Sequence, residues 1–147
     1  MLLRACHWSL ALLVLVIGVG RVSATDVNLR IGRGGQVATR GVAGGHVAVE
    51  RILRHPALGI CSGWFRATPN HTVSIAHHGV YVINVRSTVD VTLVVVGPSE
   101  SECNDDAHAK TTNPSVMLSA PGRYHLYVGT KDQQPHPYTL AIADGAG

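Results

Sequence analysis

Short runs in which hydrophobic and polar residues alternate dominate the C-terminal part of the chain. In residues 72–76, Val73 and Ile75 fall on one face, and residues 80–86 alternate between two faces that both carry apolar groups. Residues 89–96 form a nearly continuous run of β-branched side chains. This period of two is typical of strands, and no stretch keeps the 3.6-residue period of an amphipathic helix. The pattern therefore predicts an all-β domain in which residues 80–86 form an interior strand.

Glycine and proline divide the remaining apolar runs into strands of similar length. Further strands are expected at residues 60–65, 114–119, 123–128 and 138–143, and residues 100–104 are expected to be a short strand or a loop. His77-His78-Gly79 is expected to be a compact hairpin connection, because glycine reaches the positive φ that tight turns require. Ala120-Pro121-Gly122 is a tight-turn signal. Many short strands with turn signals between them predict a single β-sandwich or barrel.

The first part of the chain is richer in glycine and carries a weaker pattern. Alternating apolar residues indicate two short strands, at 27–31 and 37–42, and residues 46–53 have room for one or two turns of helix. Glycines interrupt each of these stretches, which argues against longer elements. We therefore expect a glycine-rich N-terminal segment with short strands at residues 25–58, followed by the β-sandwich at residues 59–144.

The N-terminus has the layout of a secretory signal peptide. Arg4 precedes an apolar run at residues 8–19, and small residues at 22–24 provide a cleavage site after Ala24. The run is shorter than the ~20 apolar residues that a membrane-spanning helix needs, although a retained anchor is the alternative. We expect residues 1–24 to be removed and the mature chain, without a membrane span, to reach the periplasm or the cell exterior.

Net charge argues against nucleic acid as a partner. The chain has 12 Lys and Arg against 9 Asp and Glu, a formal charge of +3. Removal of Arg4 and Arg21 with the signal peptide would leave 10 basic and 9 acidic residues, so the charge would fall to +1. The mature chain also lacks a basic stripe interleaved with aromatic residues, which is the electrostatic signature of a nucleic-acid-binding surface.

The cysteines agree with export. Cys6 lies in the predicted signal peptide, so Cys61 and Cys103 remain as an even pair. In an oxidising compartment such a pair is expected to form a disulfide. Because the bridge would close a long loop, the chain-entropy model assigns it a stabilisation of about 4 kcal/mol. The alternative is two separate buried thiols.

Five motifs in a fixed order carry a resemblance to a known family. They are D-V-T-L-V-V-V-G-P (90–98), C-N-D-D (103–106), N-P (113–114), A-P-G-R-Y-H-L-Y-V-G-T (120–130) and Y-T-L-A-I (138–142). Together they resemble the bacterial pre-peptidase C-terminal domain over about residues 61–143. The resemblance implies a small jelly-roll-like β-sandwich, usually a non-catalytic appendage of secreted peptidases, which in some collagenases binds calcium. We expect a stand-alone exported member, because this chain contains no peptidase domain.

The acidic loop is the best candidate for a binding site. Asn104, Asp105 and Asp106 supply hard oxygen ligands, Asp90 opens the strand expected beside them, and Asn113 lies at the far end of the loop. Calcium takes about six to eight oxygen ligands in flexible geometry, so these residues form a candidate calcium site. The alternative is that the aspartates accept hydrogen bonds from backbone N–H groups of their own turns.

Other chemistry has weaker support in the sequence. Trp64 could stack on a sugar ring, or it could pack against the disulfide in the core. Of the nine histidines, all but His7 lie outside the predicted signal peptide, but they lack the H-E-x-x-H spacing of a zinc site. Serine, histidine and aspartate are available for a hydrolase, yet no G-x-S-x-G motif is present.

These observations favour a non-catalytic binding or interaction module of the cell envelope or exterior. Its partner is expected to be a protein or a polysaccharide. A calcium-stabilised accessory domain acting on a secreted peptidase is the first alternative, and a small hydrolase is the second. Apart from calcium, no cofactor is expected.

Overall fold

A computed structural model describes residues 27–53, 61–107 and 110–145. The predicted signal peptide at 1–24 lies outside these residues, as does the boundary expected between residues 58 and 59. The strands are β1 Val27–Ile31, β2 Gln36–Ala43, β3 Val47–Ala48, β4 Trp64–Phe65, β5 His71–Ile75, β6 Tyr81–Ser87, β7 Val91–Val96, β8 Ser101–Asn104, β9 Ser115–Leu118, β10 Gly122–Thr130 and β11 His136–Asp144. A 3-10 turn, Val49–Arg51, follows β3.

The strands form two sheets that pack face to face. In sheet A the order is β1-β5-β10-β4-β3, and β7 pairs with both β10 and β8. In sheet B the order is β2-β11-β6-β9. The β1–β5 pair is parallel, and the other strand pairs are antiparallel. The predicted all-β fold, a single jelly-roll-like sandwich, is confirmed.

The hydrophobic core fills the space between the two sheets. On β6, Tyr81, Ile83 and Val85 are buried, whereas Asn84 and Arg86 are exposed. The predicted alternation and interior position of this strand are therefore confirmed. The other strands contribute further inward-facing residues to the same cluster: Leu29, Ile31, Val73, Ile75, Val91, Leu93, Val95, Val116, Leu118, Tyr124, Leu126, Val128, Tyr138, Leu140 and Ile142. Burying each aliphatic side chain stabilises the fold by about 1.5–3 kcal/mol.

A buried polar contact joins the two sheets inside this core. The Tyr138 hydroxyl on β11 and His71 Nε2 on β5 share a hydrogen bond of 2.7 Å. The Tyr138 ring lies over Gly41, where a Cβ atom would collide with the hydroxyl. Burial raises the pKa of Tyr138 well above its usual range. The phenol therefore stays neutral and serves to bond the sheets together.

The connection predicted as a hairpin crosses between the sheets instead. Residues 77–79 lead from β5 in sheet A to β6 in sheet B. Gly79 does not have the positive φ expected of a tight hairpin. Alternation of apolar residues shows which side chains face the core, but consecutive strands in facing sheets alternate in the same way as a hairpin. The hairpin prediction was therefore wrong at this site. The turn predicted at 120–122 also crosses between the sheets, from β9 to β10.

Strands from the first part of the chain belong to the same two sheets as the later ones. β1 pairs with β5, and β2 pairs with β11 over eight residues. The strands predicted at 27–31 and 37–42 are confirmed, and the helical stretch predicted at 46–53 is limited to one 3-10 turn. In residues 60–65, only the last two form a strand, and residue 60 is outside the described part. No helix in residues 27–53, 61–107 and 110–145 is long and apolar enough to cross a membrane.

The two sheets differ on their outer faces. On sheet A, Val49, Leu53 and Phe65 are buried against Val94, and they form a second hydrophobic cluster with the partly buried Ile52, Cys61, Val96, Cys103 and Tyr127. Sheet B instead has exposed or half-buried side chains across its outer face: Ala38, Arg40, Val42, Val82, Asn84, Arg86, Met117, Pro137, Thr139, Ala141 and Ala143. The molecule thus has one partly covered face and one open face.

Candidate functional site

The predicted disulfide is present. Cys61, just before β4, is bonded to Cys103 on β8, and their Cα atoms are 6.1 Å apart. Both cysteines lie against the second hydrophobic cluster on sheet A. The bridge therefore attaches the segment that covers this face to the edge strand of the same sheet.

Lys131 connects this segment to the acidic loop. Its Nζ donates hydrogen bonds to Asp105 Oδ2 (2.6 Å) and to Ser62 Oγ (2.9 Å). The carbonyl oxygen of Ser62 also accepts a hydrogen bond from Thr92 Oγ1 at 2.7 Å. About a third of each charged side chain, Lys131 and Asp105, is exposed. A pair with this exposure stabilises the fold by at most about 1 kcal/mol.

The two asparagines of the predicted calcium site bond to the backbone of neighbouring strands. Asn104 Oδ1 accepts a hydrogen bond from Ser115 N–H at 3.1 Å, and Asn113 Oδ1 accepts one from Ser87 N–H at 2.8 Å. These bonds hold the ends of strands in place, which is the structural role that short amide side chains commonly have in loops.

Asp105, which is paired with Lys131, lies near Asp90 and Asp106 at one edge of sheet A. Desolvation raises the pKa of Asp90, the charge of Lys131 lowers it, and the charges of Asp106 and Asp105 raise it. In the part of the chain that the structure describes, no group of three or more His, Cys, Asp and Glu side chains is arranged to hold a metal ion. Calcium binding by Asp90, Asn104, Asp105, Asp106 and Asn113 stays a prediction.

Trp64 and Phe65 lie on opposite faces of β4. Phe65 is completely buried in the second cluster, next to the disulfide, whereas Trp64 is half-exposed. The alternation of the two residues placed them on opposite faces, but it could not show which one faces the disulfide. Binding of a ligand by Trp64 stays a prediction.

The Ser62 hydroxyl lies beside a lysine, a residue type that activates the serine in some hydrolases. Its Oγ is within hydrogen-bond distance of Lys131 Nζ, but the same ammonium group is also bonded to Asp105. An ammonium group is a donor with no lone pair, so it cannot take the serine proton as a general base. This arrangement fixes the loop and does not activate the hydroxyl.

The outer face of sheet B has a cleft that was not predicted from the sequence. Arg40 on β2 and Arg86 on β6 are both register partners of Thr139 on β11. Register partners in antiparallel strands point to the same face, so the three side chains stand in a row on the exposed side. They border a cleft of about 510 Å³ lined by Arg40, Gly41, Arg86, Ser87, Thr88, Pro137, Tyr138 and Thr139.

A similar row of residues crosses sheet A. Arg30 on β1 and Arg123 on β10 are both register partners of Ser74 on β5, and all three are exposed. The cleft beside this row is smaller, about 410 Å³, and is lined by Arg30, Ile31, Gly32, Ser74, Ile75 and Ala76. One arginine lines this cleft, whereas two line the cleft on sheet B.

Comparison with known proteins shows one full-length relative. No protein-family model matches the chain. The chain is 26% identical over 147 residues to an uncharacterised protein of Synechococcus elongatus, and the match covers 96% of this chain and 98% of the relative.

Solved structures give likenesses of fold. The chain is similar to the pre-peptidase C-terminal domain of a collagenase from Bacillus anthracis, with 16% identity, a TM-score of 0.44, and coverage of 80% of this chain and 96% of that chain. It is also similar to PliG, a periplasmic inhibitor of g-type lysozyme, from Salmonella Typhimurium (15% identity, TM-score 0.42, coverage 80% and 97%) and from Aeromonas hydrophila (12%, 0.43, 80% and 95%). The resemblance to the pre-peptidase C-terminal domain is thus one of fold.

Proposed function

We propose that this protein is a non-catalytic interaction module, exported to the periplasm or the cell exterior, that binds a protein partner through the outer face of sheet B. The difference between the two outer faces carries this proposal. Met117 and Val42 on sheet B expose 68% and 39% of their surface, and they share that face with Arg40 and Arg86. Exposed apolar residues combined with arginine are typical of surfaces that bind other proteins.

Export is supported by the Cys61–Cys103 disulfide. Disulfides form and persist mainly in oxidising compartments, which include the periplasm and the cell exterior. The N-terminal sequence favours the same conclusion, because it has the layout of a signal peptide.

We propose a non-catalytic role because three side chains of reactive types serve structural purposes. The Ser62 hydroxyl is bonded to an ammonium group that Asp105 already holds. His71 and Tyr138 are buried in the core, where they bond one sheet to the other. These groups stabilise the fold, and none of them is presented to a substrate.

The experiment tests whether the outer face of sheet B is the binding surface. Ala141, half-buried near the middle of that face, is replaced by a large anion in Ala141→Glu. Ser74→Glu places the same side chain on the outer face of sheet A. Immobilised wild-type protein and each variant are incubated with envelope extract, and bound proteins are identified by mass spectrometry. The expected partner is retained by the wild type and by Ser74→Glu and is lost with Ala141→Glu.

Controls separate the possible outcomes. Thermal unfolding must show that both variants remain folded, and the captured protein must bind again in purified form. Equal retention by all three baits contradicts the proposed surface. Binding that survives protease treatment of the extract would identify a polysaccharide and contradict the choice of a protein partner.

A calcium-stabilised accessory domain is the second candidate function. It is favoured by the proximity of Asp90, Asp105 and Asp106 at one edge of sheet A, which their mutual effect on the pKa of Asp90 reflects. Lys131 neutralises part of this charge, so an ion at this edge would have to compete with the ammonium group for Asp105.

A further inference from the structure

We infer that the cleft between Arg40 and Arg86 binds carboxylate side chains of an acidic segment in the protein partner. This inference rests on the proposed function, and it names the chemistry that the partner presents to sheet B. Charge complementarity between the cleft and the segment is the basis of recognition.

The register of the strands places the two arginines at a separation suited to one carboxylate. Arg40 and Arg86 flank Thr139 on the two neighbouring strands, so their Cα atoms lie two strand spacings apart, about 10 Å. Two long side chains that start at this distance can converge on a group placed between them. Guanidinium groups bind carboxylates with two parallel hydrogen bonds, and the Thr139 hydroxyl between them adds another donor.

The charges around the cleft favour an anion. None of its lining residues is acidic, and two of them are arginines. Asp132, which lies near in sequence to the start of β11, accepts hydrogen bonds from His136 Nε2 (2.9 Å) and from the Gln134 N–H (3.0 Å). Asp90 lies two residues beyond the lining residue Thr88, and the charge of Lys131 acts on it. An incoming carboxylate therefore meets two arginines and no acidic lining residue.

The lining favours a peptide over an acidic polysaccharide. Sugar rings are usually bound against an exposed aromatic face, but Tyr138 turns its ring inward over Gly41 and bonds to His71. Next to the arginine row, Val42 is the register partner of Pro137 and both are exposed. A row of cations beside a row of apolar groups fits an extended segment in which acidic and apolar side chains alternate.

Binding is measured with a short fluorescent peptide of alternating glutamate and leucine, using the full chain purified from the exported fraction. A glutamine-for-glutamate version of the peptide and a soluble polyuronate serve as competing probes. Fluorescence anisotropy at low ionic strength gives the dissociation constants, and added salt should weaken binding of the glutamate peptide. We expect the wild type to bind the glutamate peptide and to bind the glutamine version at least tenfold more weakly.

Paired substitutions test whether binding depends on Arg40 and Arg86 themselves or only on the net charge of the protein. Arg40→Gln with Arg86→Gln should weaken binding at least tenfold, since each loses hydrogen bonds to a charged group. Arg30→Gln with Arg123→Gln removes the same charge from the other arginine row and should change binding by less than about threefold. Arg86→Lys, which keeps the charge and loses the two-pronged geometry, should fall between these values.

Several results would overturn the inference. These are failure of the folded wild type to bind the glutamate peptide, equal losses in the two double variants, and tighter binding of polyuronate than of the peptide. If Ala141→Glu still abolishes partner capture while Arg40→Gln with Arg86→Gln leaves it intact, the proposed face stands and the cleft assignment fails. If Ala141→Glu has no effect on capture, the proposed function itself fails.

Discussion

Phe65 and Met117 are large hydrophobic residues on the outer sides of the two sheets, yet Phe65 is completely buried and Met117 exposes 68% of its surface. On sheet A the chain that follows β3 packs over the sheet, and the Cys61–Cys103 bridge attaches it there. On sheet B the equivalent side chains face solvent. Apolar residues on the first face stabilise the fold, whereas those on the second remain available for association. Substitutions can test whether the two faces differ in this way.

The largest difference is expected from truncating one apolar side chain on each face. Phe65→Ala should lower the free energy of unfolding by about 3–5 kcal/mol, because it removes a buried ring and leaves a cavity. Met117→Ala, the matched control, should change it by no more than about 0.5 kcal/mol. Chemical denaturation of both variants measures these values. Similar effects of the two substitutions would contradict the contrast between the faces.

The disulfide should contribute somewhat less. Cys61→Ser with Cys103→Ser removes a bridge across a sequence separation of 42 residues, so the unfolded chain gains conformational freedom. The free energy of unfolding should fall by about 2–4 kcal/mol. Reduction of the wild type should produce the same loss, and reductant should have no effect on the double variant. An unchanged value in oxidised samples would mean that the bridge does not stabilise the covered face.

The smallest effect is expected at the acidic edge of sheet A. Desolvation raises the pKa of Asp90; the charge of Lys131 opposes this effect, and the charges of Asp106 and Asp105 reinforce it. Ionisation of Asp90 therefore disfavours the folded state. Without calcium, Asp90→Asn should stabilise the protein at neutral pH by only a few tenths of a kcal/mol, because solvent screens this exposed group. The gain should disappear as the pH falls through the raised pKa to below the unfolded value of 3.8, where Asp90 is neutral in both states.

The Asp90→Asn variant also tests whether this edge of sheet A binds calcium. If Asp90 is a calcium ligand, Asp90→Asn becomes destabilising in millimolar calcium, because the wild type alone gains stability from the bound ion. Thermal unfolding in calcium, in magnesium and in EDTA distinguishes the two cases. Stabilisation by Asp90→Asn that is equal in calcium and EDTA would contradict the predicted calcium site.

The strands could be predicted from local pattern, because alternation reflects which side of a strand faces the core. β6 shows this: its buried and exposed positions follow the apolar and polar residues of the sequence. The disulfide was predictable for another reason, since two cysteines remain once the signal peptide is set aside. Connections were not predictable, because the same alternation fits a hairpin and a crossing between sheets, as at residues 77–79.

The cleft on sheet B could not be predicted, because it depends on the register of strands that are distant in sequence. Arg40 and Arg86 become neighbours through β11, to which both of their strands pair. The sequence separation of the two arginines does not indicate that they are neighbours, because their proximity arises from the pairing of strands in the folded protein. The choice between Trp64 and Phe65 as the buried residue of β4 depends in the same way on what packs over sheet A.

The pairing of β2 with β11 has a consequence for the order in which the protein can assemble. β2 emerges early in synthesis, but the strand beside it in sheet B is the last of the described strands, and β11 also joins β2 to β6. Sheet B therefore cannot be completed until β11 has left the ribosome. Pairing across such separations is intrinsically slow. The completion of sheet B is therefore expected to be a late step in folding.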